Sequence, residues 1–196
     1  MNPARILATA AIVLGSLLPV ASTSSPAQTF TYLGKDGPLF SITLPDGWDV
    51  AVGSPDGFEV ELDGGRTVST RLVECSGSER AVWFGLWAID GVADLDTAER
   101  ISRVVESEFV SQAKRLRTPK DFEVMGTPVR TIEGTAEVED EDEATTSVRY
   151  TTVLFKISKN AVAGGTYLAE PDGEEASAKE LAAIIASLRV VGSRTR

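Results

Sequence analysis

One stretch of the chain is apolar on both of the faces that a β-strand presents. It is AVWFGLWAI, from Ala81 to Ile89. Successive residues of a strand point to opposite sides of its sheet. One side would carry Trp83, Gly85, Trp87 and Ile89, and the other Val82, Phe84, Leu86 and Ala88. A strand of this kind is normally central and covered on both sides, so the fold is expected to contain a sheet with packed material on both faces.

Several other segments alternate apolar and polar residues, which predicts strands with one face in water. The first are residues 40–44, 58–62 and 66–74. Strand patterns return at DFEVMG, TPVRTIEGTAEVE, TTSVRYTTVLFKIS and AVAGGTYLAE, and the last of these is expected to close the sheet. The glycines of its AGGT stretch are interpreted as a turn. The acidic run EVEDEDEAT joins two of these strands and predicts a hairpin between them.

Two helices interrupt and end the series of strands. The first is expected to begin at an Asp96 N-cap and to end before RTPKD, because proline disfavours a helical residue before it. Its predicted apolar stripe contains Ile101, Val104, Val105, Phe109, Ala113 and Leu116, and Glu106 falls outside that stripe. The last helix is predicted from Leu181, Ile184, Ile185 and Leu188. This order of elements implies α+β layers.

The amino-terminal residues have the layout of a secretory signal peptide. MNPAR supplies positive charge, Ile6 to Val20 is an uncharged apolar run, and Ser25 and Ala27 are small residues at cleavage spacing. The run is shorter than the roughly 20 residues that a membrane-spanning helix needs. We therefore expect a signal peptide at residues 1–27 and a single domain at residues 28–196, secreted or periplasmic after cleavage, with no stable transmembrane segment.

Composition excludes several chemistries. The chain of 196 residues contains no histidine, which removes the commonest general base and the usual zinc ligand. Its one cysteine, Cys75, cannot form an intramolecular disulfide. The formal net charge of −10 makes nucleic acid an unfavourable partner. No nucleophile elbow, phosphate loop or dinucleotide fingerprint occurs in the sequence. The chain is therefore expected to be no enzyme and to need no cofactor.

The candidate binding residues are aromatic and acidic. Trp48, after a Pro-Asp-Gly turn, is interpreted as part of the core, with an anchor in a binding groove as the alternative. Trp83 and Trp87 pack in the core or line an apolar pocket or partner surface. The acidic residues Glu139, Asp140, Glu141 and Asp142 form a solvated turn, with calcium or a basic partner protein as alternatives.

Four ordered segments resemble the PsbP-like superfamily, which includes the extrinsic PsbP protein of photosystem II, a Ran-binding nuclear import factor and exported bacterial proteins of the DcrB and LpqN kinds. They are LFSITLPDGWDV, DTAERISRVVESEFVSQAKRL, the hairpin VRTIEGTAEVEDEDEATTSVRYTTVLFKIS and ELAAIIASLRVV, within Phe30 to Val191. The resemblance implies an antiparallel β-sheet with helices on both faces, an α/β/α sandwich. It also implies structural roles for Phe40, Ile42, Leu44 and Trp48, and function through binding another protein rather than catalysis.

Three functions are compatible with these observations. The leading hypothesis is an exported, non-enzymatic domain that binds another envelope or secreted protein. The alternative is a carrier of an apolar or lipid-like small molecule that packs against Trp83 and Trp87. A hydrolase of unknown substrate is the third.

Overall fold

A computed structural model describes residues 27–52, 58–62, 66–77, 82–139 and 144–191. The expected signal peptide lies outside these residues except for Ala27. Within them the chain forms two α-helices and thirteen strands. Helix α1 is Leu95–Glu106 and helix α2 is Glu174–Ala186, which a short 3₁₀ turn at Pro171–Gly173 precedes. Strands β1 to β13 are Gln28–Gly34, Gly37–Leu44, Trp48–Val52, Phe58–Leu62, Arg66–Thr70, Val73–Gly77, Val82–Asp90, Ser111–Arg115, Lys120–Val124, Thr127–Glu139, Thr145–Ser158, Ala161–Ala169 and Arg189–Val190.

The strands form antiparallel sheets of eight, three and two strands in the described part of the chain. The main sheet has the order β3-β6-β7-β12-β11-β10-β8, and β9 also pairs with β10. Strand β7 therefore lies between β6 and β12, which confirms the central position predicted from its two apolar faces. Strands β1, β2 and β13 form the second sheet, and β4 pairs with β5 in the third. The predicted antiparallel sheet and two helices are thus confirmed, in a chain that is mainly strand.

Strand β12 is not at the edge of the sheet, and its glycines are not in a turn. All nine of its residues are buried between β7 and β11. The AGGT segment was expected to form a turn, but Gly164 and Gly165 instead pair within the strand with residues of both neighbours. Aromatic and leucine side chains lie within about van der Waals distance of both glycines, because neither has a Cβ atom.

Two hairpins form the far side of the main sheet. Strands β10 and β11 pair from Val129 with Phe155 to Glu139 with Thr145, which confirms the predicted hairpin. Strands β9 and β10 are joined by Met125 and Gly126, whose φ angles are 50° and 77°. Positive φ at both loop positions belongs to the type I′ turn, whose twist matches that of the flanking strands.

Helix α1 is shorter than the sequence predicted and begins earlier. Its N-cap is Asp94, whose Oδ1 accepts a hydrogen bond from the backbone N–H of Thr97 at 2.7 Å, so the predicted Asp96 cap is wrong. The helix ends at Glu106, and the residues expected to continue it form β8. Pairing of β8 with β10 supplies the backbone hydrogen bonds that further helical turns would have made. Leu116 lies beyond β8 and is exposed.

Alternate residues of the central strands contribute to different hydrophobic clusters. Helix α1 packs through Ala98, Ile101 and Val105 in a cluster that also holds Trp87, Ile89, Leu154 and Val162. Helix α2 packs through Leu181 and Ile184 in a cluster that holds Phe40, Leu44, Phe84, Ala163 and Tyr167. Leu188, which was predicted within the helix, follows its C-cap and joins the same cluster. Neither helix has the length and hydropathy that crossing a bilayer requires.

Candidate functional site

Two of the three tryptophans considered as binding residues, Trp48 and Trp87, are in the core. Trp48 begins β3 and is 3% exposed, with its ring centroid 6.2 Å from that of Tyr167. Trp87 is 1% exposed and packs in the cluster of helix α1. Neither side chain offers a ring to a partner in this conformation, which agrees with the core interpretation of both residues.

Trp83 differs from the other two because it is half-buried. Its indole Nε1 donates a hydrogen bond to Glu74 Oε2 at 3.2 Å, and its ring centroid lies 4.9 Å from that of Phe109. Burial raises the pKa of Glu74, and the hydrogen bond from Trp83 opposes that rise. The indole therefore has a polar partner and an aromatic neighbour, and both hold it against the protein.

The acidic candidates lie at the end of β10. Glu139 is its last residue and is exposed, whereas Asp140, Glu141 and Asp142 lie outside the described residues. Within the described ranges, no group of three histidine, cysteine, aspartate or glutamate side chains is placed to hold a metal ion. Cys75 is fully buried, and burial with Glu74 beside it raises the pKa of its thiol to about 12.

A cleft that the sequence did not predict lies at the carboxyl end of helix α1. It has a volume of about 630 Å³ and is bounded by the helix end, β8 and the neighbouring part of the main sheet. We call it the Glu106 cleft, and the residues that line it are Ser102, Arg103, Glu106, Ser107, Val110, Ser111, Gln112, Ala113, Arg115, Ile132, Tyr150 and Thr152. Its size falls within the range of small-molecule sites.

Glu106 is a buried carboxyl group of this cleft and is 6% exposed. Its Oε1 accepts hydrogen bonds from the hydroxyls of Thr152 and Thr166, the latter at 3.0 Å. Burial raises the pKa of the carboxyl, while these hydrogen bonds and the charges of Arg103 and Arg115 oppose the rise. A carboxyl with a perturbed pKa in a cleft is a recognised mark of functional sites.

The other polar groups of the cleft surround this carboxyl. Burial and the nearby charge of Glu106 raise the pKa of Tyr150. Arg103 and Arg115 are more exposed, and each forms an ion pair with Glu99 Oε1. Burial would raise the pKa of Glu99, but the hydrogen bonds from these arginines outweigh it and lower the pKa. The cleft therefore has a buried carboxyl group at its floor and two guanidinium groups at its rim.

One backbone position beside the cleft has an unusual conformation. Gln112 in β8 has a φ of 50°, which is uncommon for a residue other than glycine. The ladder between β8 and β10 is irregular at this position, and the Gln112 side chain donates a hydrogen bond to Glu137 Oε2 at 2.6 Å. Such strained residues are found most often at functional sites.

A helical stripe parallel to the apolar one could have indicated this cleft. Ala98, Ser102 and Glu106 recur every fourth residue, so they lie along one line of the helix beside Ile101 and Val105. All five are buried. The prediction that Glu106 lies outside the packed face is wrong, because that face is wider than its aliphatic residues alone indicate.

A second surface feature is the outer edge of the main sheet, which we call the β8–β9 edge and define by Lys114, Leu116, Arg117, Lys120 and Phe122. All five residues are exposed, and 41% of the Phe122 surface contacts solvent. In the described part of the chain, β8 and β9 pair with β10 alone. Arg117 and Lys120 both contact Glu133, at 3.1 Å, so two positive charges face one negative charge there.

Comparison with known proteins identifies a solved structure with a similar fold. No protein-family profile and no curated protein sequence matches the chain. Among solved structures, the solution structure of cyanobacterial PsbP (CyanoP) from Synechocystis sp. PCC 6803 superimposes with a TM-score of 0.53. The similarity covers 90% of this chain and 98% of that one, at 17% sequence identity.

The chain has a PsbP-like fold. This confirms the resemblance that the four sequence segments indicated. Because the identity is only 17%, the similarity describes the backbone arrangement and transfers no binding residue. The function of a PsbP-like domain must therefore be argued from the surfaces and clefts of this chain.

Replacing Glu106 with glutamine is expected to stabilise the domain at about pH 7, by roughly 1 kcal/mol. The folded state raises the pKa of this carboxyl above its ordinary value of 4.5. The stabilisation due to its protonated form is complete below that value and is lost as the pH rises through the folded-state pKa. Glutamine keeps the carbonyl oxygen that Thr152 and Thr166 bind and carries no charge.

Urea unfolding at about pH 4 and about pH 7 measures this difference. The variant and the wild type should have similar free energies of unfolding at the lower pH and should separate at the higher one. A variant that loses stability relative to the wild type as the pH rises would contradict the assigned direction of the shift.

Proposed function

We propose that this protein is an exported, non-enzymatic binding domain that recognises an extended, acidic segment of another envelope or secreted protein. The observation that carries the proposal is the β8–β9 edge. An unpaired strand edge offers backbone N–H and C=O groups to an additional strand, which is a recurring mode of peptide recognition. Residues 1–27, with the layout of a signal peptide, support export.

The charge distribution supports an acidic partner. Residues 100–120 contain six basic and two acidic side chains, a net charge of +4, whereas the whole chain has a net charge of −10. Four of the six basic residues, and no acidic residue, lie in residues 111–120, so the positive charge is concentrated on the β8–β9 edge. Such a local patch attracts an acidic segment and speeds its association at low ionic strength.

Apolar side chains at the same edge would add contact area. Leu116 and Phe122 are exposed there, and Met125 is exposed at the adjacent turn. Pockets for alternate side chains give specificity to an added strand, while its backbone hydrogen bonds give affinity. The apolar-carrier alternative has less support, because Trp87 is buried and Trp83 is held by Glu74 and Phe109.

The proposal also includes the finer architecture of an α/β/α sandwich. Neighbouring residues of β12 belong to different clusters, with Val162 beside helix α1 and Ala163 beside helix α2. Since neighbouring residues of a strand point to opposite faces, this pattern supports one helix on each face. Such an arrangement would leave the edges of the sheet as its accessible parts.

Site-specific photo-crosslinking in the native cells tests the partner. A photoreactive residue at Lys114 is expected to give one discrete adduct, and the same residue at Lys179, exposed on helix α2, should not. Combining Arg117→Glu, Lys120→Glu and Phe122→Ser should reduce the Lys114 adduct about tenfold or more. The mass of the native protein should correspond to a chain cleaved near Gln28.

Three results would count against this function. One is an equally strong adduct at Lys114 and Lys179, because no preferred surface would then exist. The second is full retention of the adduct in the triple variant. The third is a native protein that keeps residues 1–27 and remains inside the cell, which would remove the exported part of the proposal.

A further inference from the structure

The Glu106 cleft separates opposite charges between its floor and its rim. Glu106 and Tyr150 are buried at the floor. The side chains of Arg103 and Arg115 are 62% and 34% exposed at the rim. The charges of both arginines act on Glu106, so the two ends are within electrostatic reach of each other. The binding of a protein partner at the β8–β9 edge makes no use of this arrangement.

The floor has unused capacity to accept hydrogen bonds. The two threonine hydroxyls both donate to Oε1 of Glu106, and no described side chain donates to its Oε2. Among the described residues, no ion pair includes Glu106. A buried carboxylate that forms no ion pair is costly to the fold. An ammonium group bound beside it would supply both the missing positive charge and N–H donors.

The rim has unused capacity to donate hydrogen bonds. Arg103 and Arg115 each use Nη2 to contact Glu99, and a guanidinium has five N–H groups in total. The two guanidinium groups therefore share one carboxylate, and each keeps N–H groups that do not contact it. Guanidinium groups are well matched to carboxylates. Val110 and Ile132 are buried apolar residues of the same lining, and we call them the apolar wall.

We propose that the Glu106 cleft binds a free amino acid that has an apolar side chain. Its ammonium group lies against Glu106 and the hydroxyl of Tyr150. Its carboxylate lies between Arg103 and Arg115, and its side chain contacts the apolar wall. The cleft volume of about 630 Å³ accommodates such a molecule with ordered water. Binding the ammonium favours the ionised form of Glu106, so affinity should increase as the pH rises through the pKa of this carboxyl.

Calorimetric titration with three related probes tests both charged contacts. L-Leucine is expected to bind, because it carries both charges and an apolar side chain. N-Acetyl-L-leucine lacks the ammonium charge, and L-leucinamide lacks the carboxylate. Each should bind about tenfold or more weakly than L-leucine, since each leaves one end of the cleft unpaired.

Two variants and a matched control connect the binding to the floor of the cleft. Glu106→Gln is expected to weaken L-leucine binding about tenfold or more and to abolish its pH dependence, although this variant should fold at least as stably. Tyr150→Phe removes one hydroxyl and should weaken binding less. Glu74→Gln changes another partly buried glutamate with a raised pKa, outside the cleft, and should leave binding unchanged.

Two outcomes would overturn the proposal. One is the absence of heat or of chemical-shift change with millimolar L-leucine. The other is equal binding of L-leucine by the wild type and Glu106→Gln. The Lys114 crosslinking result does not depend on either outcome. Conversely, reversing the charges of Arg117 and Lys120 should leave L-leucine binding intact, because neither residue lines this cleft.

Discussion

Replacing Gly165 with alanine is expected to lower the free energy of unfolding by about 2 kcal/mol or more. A Cβ atom at this position would lie 2.6 Å from Phe84 Cε2, 2.8 Å from Leu86 Cδ2 and 2.9 Å from the carbonyl oxygen of Gly85. The first two atoms belong to buried side chains, and the third belongs to the backbone of the paired strand. These close contacts can therefore be relieved only if strands β7 and β12 move apart. Urea unfolding of the purified variants measures the loss.

The expected loss should follow the size of the side chain. Gly165→Val should destabilise the domain more than Gly165→Ala because it adds two methyl groups to the same crowded space. Gly173→Ala is the matched control, since its Cβ atom would lie 3.4 Å from the hydroxyl oxygen of Ser177. That variant should remain within about 1 kcal/mol of the wild type. Equal stability of Gly165→Ala and Gly173→Ala would contradict the packing described for β12.

The same glycine pair shows why periodicity predicted one central strand and missed the other. Strand β7 is apolar at nearly every position, so its own residues predict burial on both faces. Strand β12 contains Gly164, Gly165 and Thr166, which are typical of turns when considered alone. Their burial depends on Trp87 on one side and Phe84 on the other. Those contacts form only after the neighbouring strands have assembled.

The end of helix α1 was mispredicted for a related reason. The segment after Glu106 has helix-forming residues, and the apolar period continues to Leu116. Helix propensity is a weak preference, and pairing with another strand readily overrides it. Here Ser111–Arg115 pairs with β10, which satisfies the backbone of both strands. The sequence showed a long periodic segment but could not show that a partner strand competes for its second half.

The candidate site was harder to predict than the fold. The PsbP-like backbone follows from patterns that extend over most of the chain, whereas the Glu106 cleft depends on one buried carboxyl. Thr152 and Thr166, which bind that carboxyl, are 46 and 60 residues further along the chain. They lie on two different strands that only the sheet order brings together. The tryptophans drew attention in the sequence because they are large, and the same property places Trp48 and Trp87 in the core.

Arg130 organises the charged groups on the side of the sheet that carries helix α1. Its Nε and Nη2 donate to the two carboxylate oxygens of Asp121 at 2.7 and 2.8 Å. Its Nη1 donates to Asp96 at 2.6 Å and to Glu99 at 3.2 Å. The arginine is 15% exposed and joins β9, β10 and helix α1. The hydrogen bonds from Arg130 lower the pKa of Asp121. The hydrogen bonds that Arg130 makes with Asp121 and Asp96 raise its own pKa.

Arg130→Met is therefore expected to lower the free energy of unfolding at about pH 7 by roughly 2 kcal/mol. This loss lies between the typical contributions of exposed and of buried ion pairs, because the arginine is mostly buried while Asp121 and Asp96 are mostly exposed. The hydrogen bonds from Arg130 lower the pKa of Asp121 in the folded state. The stabilising contribution of this carboxylate is complete above the ordinary value of 3.8 and is lost as the pH falls through the folded-state value.

The difference between wild type and Arg130→Met should consequently be full at about pH 7 and shrink steadily below about pH 4. Arg149→Met is the matched control, because in the described part of the chain the Arg149 side chain forms one ion pair, with Glu174 at 3.2 Å, and both side chains are substantially exposed. It should cost less than about 1 kcal/mol. If the two methionine variants lost equal stability, or if the Arg130→Met loss persisted at about pH 2, the ion pairs of Arg130 would not be the source of the loss. The carboxylates around Arg130 would then contribute little to holding helix α1 against the β9–β10 hairpin.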